Sequence, residues 1–528
     1  MLLLPLDERP INSHYPRYLA EAFGWKLLSP NSLLGQRKKP ADTKAIAEWL
    51  RAHVGKAVGA VLSLDTLAWG GLIPSRQSGN DLTEALDRLD VLRELKARHP
   101  ELVLLAFSSI QRVSRENDNG EEPDYYCEHG RAIFDRSRLE HRYISGVLTA
   151  DEASELARLR SEIPEAVWQD QLTIRDRTMK VNLGALDLVS QGVVDTLVLN
   201  QDDTTVWGLN VLTRLRLERE VATRGLGDQV LIYPGADEVA QVLMARLASR
   251  VSGRTLHAST IYSSRRGADV QTAYEDRPLG DLVTVHLRAA GAVAIPPGSV
   301  EPDFWLALNS PSRAQGQGGS SYALKLADSP GSSTIESAER AALEESEATV
   351  NGLDRSLEAF RDTLAVMVDH DRHVTLADVA HVNGADDVLM TGLAADNLLS
   401  RLGGYGGWNT AGNSLGSAVA LGCMAALVGD SSGLELAVAA RLIDDWLYQS
   451  RVRTRLLLMP DLKPLGLGGF IPEGNVPLPA ERAKSLLNEE LREFSLPYRV
   501  SRLAFPWRRL FEIDFDVESV SRTVRNGS

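Results

Sequence analysis

Short apolar runs recur along the chain, and nearly every one ends in polar residues. Leu2–Leu4 leads into Asp7-Glu8-Arg9, and Ala60–Leu64 leads into Asp65 and then Trp69-Gly70-Gly71. Leu102–Phe107 runs into Ser108, Ser109 and Arg112, and Thr196–Leu199 into Asn200-Gln201-Asp202-Asp203. Val230–Tyr233 meets Gly235-Ala236-Asp237-Glu238, Phe304–Leu308 meets Asn309-Ser310, and Val379–Val382 meets Asn383-Gly384. Runs this short and this continuous predict parallel strands covered on both faces, which need not alternate apolar with polar. Between them lie helical spacings. Asp81–Arg98 puts Leu82, Ala85, Leu89, Leu92 and Leu95 on one face. Thr149 with Glu152 three residues on predicts a capping box. Ser333–Leu364 predicts a long charged helix.

Strand, polar loop and helix, repeated about eight times, predict an α/β fold whose site lies at the strand C-termini. An open doubly wound sheet would gather ligand contacts at one switch point. Here polar residues follow almost every strand, from Asp7 to Asn409, which favours a (β/α)8 TIM-barrel-like architecture over residues 1–410. Leu256–Tyr262 and Ala292–Ile295 raise the strand count to nine or ten, so 240–300 reads as an α/β insertion. Ser310–Ser333, rich in Gly, Ser and Gln, reads as a mobile loop. Residues 411–528 read as a mostly helical region packed on the barrel, with Leu503–Phe515 as a docking tail.

Composition narrows the class. The 528 residues are 44% hydrophobic and 24% charged, ordinary for a globular chain, with a net charge of −14. An acidic surface repels phosphate backbones and anionic lipid, so neither nucleic acid nor a membrane is an expected partner. Two cysteines, Cys127 and Cys423, exclude a disulfide framework and a cysteine-built zinc site. The apolar start is too short for a signal peptide, and the apolar stretch Ala418–Val428 is too short for a membrane span, so a cytoplasmic protein is expected. Ten histidines include no compact ligand spacing; His370, Asp371 and His373 flank a charged helix, and no metal or cofactor is expected. No Gly-x-Ser-x-Gly elbow, P-loop or dinucleotide fingerprint occurs.

The sharpest chemical feature is Asp202-Asp203, directly after the fourth strand. Two neighbouring carboxyls push their pKa values apart, as an acid and a charge-stabilising partner require in glycoside hydrolysis. Taken locally, the pair also suits a solvated turn or a helix cap. Asp237-Glu238 follows the fifth strand, where it could bind sugar hydroxyls, supply the true acid through Glu238, or compensate a helix N-terminus. Asp7 and Arg9 follow the first strand, and Arg9 suits either a site carboxylate or a structural ion pair. Asp65, taken as the end of the second strand, suits hydroxyl binding, as do Asn309 and Asn383 at later strand ends. Trp69 reads as core. Trp408, within Gly-Gly-Trp-Asn-Thr, reads as a sugar platform, with Asn409 offering both donor and acceptor.

The adjacent aspartates and their place resemble those of retaining N-acetylhexosaminidases of the O-GlcNAc hydrolase type. That resemblance implies that the substrate's acetamido oxygen attacks the anomeric carbon, with Asp202 polarising the acetamido group and Asp203 as acid/base. A broader resemblance rests on Pro5-Leu6-Asp7-Glu8-Arg9-Pro10, Gly70-Gly71-Leu72-Ile73, Gln201-Asp202-Asp203, Gly235-Ala236-Asp237-Glu238 and Gly407-Trp408-Asn409-Thr410-Ala411-Gly412-Asn413. These motifs, in this order, resemble a bacterial family described as a domain of unknown function and linked to β-N-acetylgalactosaminidase-type glycosidases. The resemblance implies a substrate with a terminal β-linked N-acetylhexosamine. Two alternatives stay open: an inverting or other sugar hydrolase using Asp202 and Glu238, and a noncatalytic carbohydrate-binding α/β protein.

Overall fold

A computed structural model describes residues 1–317, 344, 348–352, 354–370, 373–465, 470–472 and 477–520. Most of the Gly/Ser-rich stretch, much of the predicted charged helix 333–364, and Asp371 fall outside the described residues. The chain divides into two compact units. The first comprises Met1–Glu8, Lys26–Leu247 and Tyr274–Asp276; the second comprises Arg9–Trp25, Ala248–Ala273 and Arg277–Ser528.

The first unit holds a five-stranded parallel sheet in chain order: β1 (Leu2–Leu4), β2 (Gly59–Ser63), β3 (Val103–Ile110), β4 (Thr196–Gln201) and β5 (Val230–Pro234). Nearly every strand residue is buried, as continuous apolar runs require when helices cover both faces. One such helix, Leu82–Arg98, buries Ala85, Leu89, Leu92 and Leu95 and is capped by Asp81, which accepts the Glu84 N–H at 3.1 Å. The capping box at Thr149–Glu152 forms at the start of the helix Ala150–Glu162.

The second unit holds another five-stranded parallel sheet, built from β6 (Leu256–Tyr262), β7 (Ala292–Ala294), β8 (Phe304–Asn309), β10 (Val374–Asp378) and β12 (Gly404–Gly406), in the order β12-β10-β8-β6-β7. Two short strands, β9 (Gly316–Gln317) and β11 (His381–Val382), pair separately. The segment 240–300 thus supplies β6 and β7 of this sheet. Among the described residues no pairing joins the outer strands of either sheet into a closed ring.

After Trp408 most of the described residues up to Glu493 are helical. The helix Ala411–Val428 has the length and apolarity of a membrane span, but 83% of it is buried inside the protein, the state of a core helix. It is followed by Ser432–Arg441 and by an 11-residue π-helix, Leu442–Val452, a rare widened form that places the buried Asp444 and Asp445. The predicted docking tail is instead the join of an antiparallel pair, β13 (Tyr498–Ala504) and β14 (Asp514–Ser519). Within β13 only Val500 and Leu503 are buried, separated by the exposed Ser501 and Arg502, so the strand leaves no continuous apolar run.

Candidate functional site

Parallel register carries the ends of β3, β4 and β5 to one level. Ile110 pairs Gln201, and Gln201 pairs Pro234, so Arg112, Asp202-Asp203 and Gly235–Glu238 leave the sheet as neighbours. The ladder continues into the loops, with the Asp202 N–H donating to the Ile110 carbonyl at 3.1 Å and the Gly235 N–H to Gln201 at 3.0 Å.

The two aspartates meet different partners. Asp202 is buried and its Oδ2 forms an ion pair with the guanidinium of Arg76, at the end of the helix Leu72–Ser75. Asp203 has a side chain 31% exposed, and its Oδ2 accepts from Arg112 at 2.9 Å. Removal from bulk water raises the Asp203 carboxyl above its ordinary pKa; Arg112 opposes this and the charge of Asp202 reinforces it. Glu121 and Glu122 bind both arginines. Arg76 NH1 reaches Glu121 at 3.1 Å and Glu122 at 3.3 Å, while Arg112 reaches the same two residues at 3.1 and 2.8 Å. Tyr274 lies close enough for Asp203 to raise its phenol, after the larger effect of burial, and Arg115 covers its ring at 4.6 Å.

Asp65 lies beneath this cluster. The sequence placed it at the end of the second strand; it sits instead in the first turn of the buried helix Leu64–Trp69. Its Oδ2 accepts the N–H and the hydroxyl of Ser109 at 2.9 and 3.0 Å. Burial pushes its pKa up to about 6 against those two bonds, and the Asp202 charge adds to the shift. At 2% exposure Asp65 is a supporting group, not a surface for hydroxyls.

Glu238 folds back on its own turn. Its Oε2 accepts the Ala236 N–H at 2.9 Å, and its carboxylate fills the space where a Cβ on residue 235 would stand. Gly235, at φ 141°, is therefore required for the turn itself. Asp237 is buried beside it, and Asp7 is buried after β1.

The remaining predicted residues belong to the second unit. Arg9 is buried, with its guanidinium 5.1 Å from the Trp507 ring centroid. Asn309, at the end of β8, donates to Asp378 at 2.8 Å and to Asp386 at 3.0 Å and accepts from Arg355 at 3.0 Å; all four are buried. It cross-links two carboxylates, where a sugar contact was expected. Asn383 and Asn409 both adopt left-handed backbone, φ 60° and 68°, and the Asn383 N–H donates to the Asn409 carbonyl at 2.9 Å. Trp408, expected as an open platform, is 4% exposed and packs on Phe511 at 5.4 Å. Trp69 is core, as expected.

Sequence reasoning missed Arg76, Glu121, Glu122 and Tyr274 in the first unit and Asp378 in the second. The strand β10 ends at Asp378, four residues before the apolar run that suggested it ends at Val382. Among the described residues no group of three His, Cys, Asp or Glu side chains is arranged to hold a metal ion.

Comparison with known proteins gives one match: a family model described as "Protein of unknown function (DUF4127)" matches residues 1–516. No curated protein and no solved structure matches the chain. The order of motifs from Pro5 to Asn413 and the extent of that match place the chain, over almost its whole length, in the DUF4127 family of proteins of unknown function.

Proposed function

We propose that the protein is a retaining glycoside hydrolase of the β-N-acetylhexosaminidase class, removing terminal β-linked N-acetylgalactosamine by substrate-assisted catalysis. The observation that carries this reading is the unequal environment of the adjacent aspartates: Asp202 is tied to a buried arginine, while Asp203 is partly exposed with its carboxyl pushed upward. A pair divided in this way can supply a fixed negative charge and a transferable proton from one short turn.

In the first step the acetamido oxygen bonds to the anomeric carbon as the glycosidic C–O bond breaks, and Asp203 gives its proton to the departing oxygen. Arg76 engages Asp202 through Oδ2, and the acetamido N–H is directed to Oδ1, so the positive charge of the oxazoline-like intermediate forms beside a carboxylate. In the second step Asp203 takes a proton from water, which attacks the anomeric carbon and reopens the ring with retention. All of this uses side chains and substrate alone. The closed (β/α)8 barrel belongs to the same reading, supported by the parallel strands and by the polar residues at their C-terminal ends.

The alternative with Glu238 as acid has less support, because that carboxylate is engaged by its own turn. The test is hydrolysis of p-nitrophenyl β-N-acetylgalactosaminide against the β-galactoside, with a galacto-configured thiazoline as inhibitor. Release from the acetamido substrate, blocked by the thiazoline, is expected. Equal rates on the galactoside would rule out participation of the acetamido group.

A further inference from the structure

Arg112 offers three edges of its guanidinium to three carboxylates. Nε donates to Glu122 at 2.8 Å, NH2 to Glu121 at 3.1 Å and NH1 to Asp203 at 2.9 Å. An arginine facing a carboxylate squarely forms two parallel bonds and holds it ionised. Here Asp203 receives a single N–H, because the glutamates occupy the rest of the fork. Both glutamates also accept from Arg76, but Glu122 is the better placed of the two: its side chain is 5% exposed against 18% for Glu121, and it lies closer to Arg112, at 2.8 against 3.1 Å. Its charge is therefore less screened by water.

We propose that Glu122 is the positioning residue that keeps Asp203 able to carry a proton, by turning the Arg112 fork away from it. The role rests on the hydrolase reading for its functional meaning, but the electrostatic claim stands on the arrangement alone. The groups facing Asp203 are Arg112, Asp202, Arg76 and Tyr274, with Arg115 and Glu116 beyond the tyrosine. Those facing Glu122 are Arg76, Arg112, Tyr125, Tyr126 and Arg175, the last donating to the Gln111 and Arg112 carbonyls at 2.8 and 3.1 Å. Without the Glu122 charge, both arginines act more fully on the aspartate pair, and Asp203 loses its proton at lower pH.

The experiment is Glu122→Gln, which keeps an acceptor for Arg112 Nε and removes the charge. The protonated form of Asp203 starts the reaction, so activity falls on the alkaline side as that proton is lost. The alkaline limb of kcat/KM should move about one pH unit toward acid, a loss of roughly tenfold above neutrality with little change on the acid side. Glu121→Gln should move it the same way by less, and takes the place of Glu122→Gln should that variant not fold. A 13C NMR titration of the Asp203 carboxyl, assigned against Asp203→Asn, should show the same fall without any substrate. An unmoved carboxyl titration, with or without lost thermal stability, overturns the proposal. Wild type inactive on both sugar substrates would overturn the hydrolase reading while the titration still decides the role of Glu122.

Discussion

Each of the two sheets ends in carboxyl groups withdrawn from water, and the two sets are built for different ends. In the first unit Asp203 keeps a third of its side chain exposed while its pKa is raised. In the second, Asp378 and Asp386 are both fully buried and joined through Asn309 and Arg355. Burial, then the neighbouring Asp386, pushes Asp378 up to about 7. Burial is the largest influence on Asp386 too, but Arg355, His381, Asn309 and the Leu389 N–H together outweigh it and hold that carboxyl below its ordinary range. Asp445, on the π-helix, accepts the Gly407 N–H at 2.9 Å and is likewise pushed up to about 7, chiefly by burial. A raised carboxyl pKa is thus no mark of a catalytic acid by itself. Access separates the two clusters: a proton donor must reach its substrate, and of Asp203, Asp378 and Asp445 the first alone keeps part of its side chain exposed.

The comparison breaks most visibly at the acids themselves. On the proposed hydrolase reading, Asp203→Asn should lower kcat/KM on substrates with poor leaving groups by roughly 10²–10⁴, whereas Asp378→Asn should leave that activity of the folded protein largely unchanged and lower the thermal midpoint. Next is Arg355→Ala, which strands Asp386 without its counter-charge. Removing one member of a buried pair costs about 3–5 kcal/mol, readable by urea unfolding; a loss below about 1 kcal/mol would mean that the pair is hydrated. A smaller effect concerns pH. Asp378 and Asp445 ionise at about 7 in the folded protein and at about 4 when unfolded. Their folded pKa is the higher, so their contribution to stability is complete below about pH 4 and is lost as pH rises through 7. Asp386 works the other way, giving up its contribution only on the acid side. Unfolding followed from about pH 5 to 8 should show declining stability, and Asp378→Asn should start lower and decline less. The smallest effect is expected from chelation: exhaustive EDTA should leave activity unchanged, and a loss restored by one metal would place an ion in the proposed mechanism.

Much of this was legible in the sequence. Eight of the nine apolar runs coincide with strands of the two parallel sheets, because a strand covered on both faces leaves a continuous signature wherever it pairs. Pairing order left none: nothing in Val230–Tyr233 or Leu256–Tyr262 tells which neighbour each will take, so two five-stranded sheets could not be told from one ring. Asp202-Asp203 was legible because the pair follows a strand directly. Its partners were less so. Arg76 and Asp202 are 126 positions apart and meet through folding alone, although Arg112 also follows a strand and Glu121-Glu122 is an acid pair in a polar loop. Asp378 was hidden by its apolar neighbours, since Val379-Ala380 continues the run past the strand's true end. Trp408 was misjudged because the glycines around it suggest an open turn, while the connection between β13 and β14 packs Phe511 against the ring.

The central claim is that adjacent aspartates hold different offices, and the most direct measurement compares Asp202→Asn and Asp203→Asn on one sugar with leaving groups of graded acidity. With Asp203→Asn the loss should be large for poor leaving groups and shrink steeply as the leaving group needs less protonation. With Asp202→Asn it should be nearly the same throughout, since the oxazoline-like charge forms whichever group departs. A steep dependence for Asp202→Asn and a flat one for Asp203→Asn would reverse the roles, and near-wild-type rates in both variants would remove the pair from the chemistry.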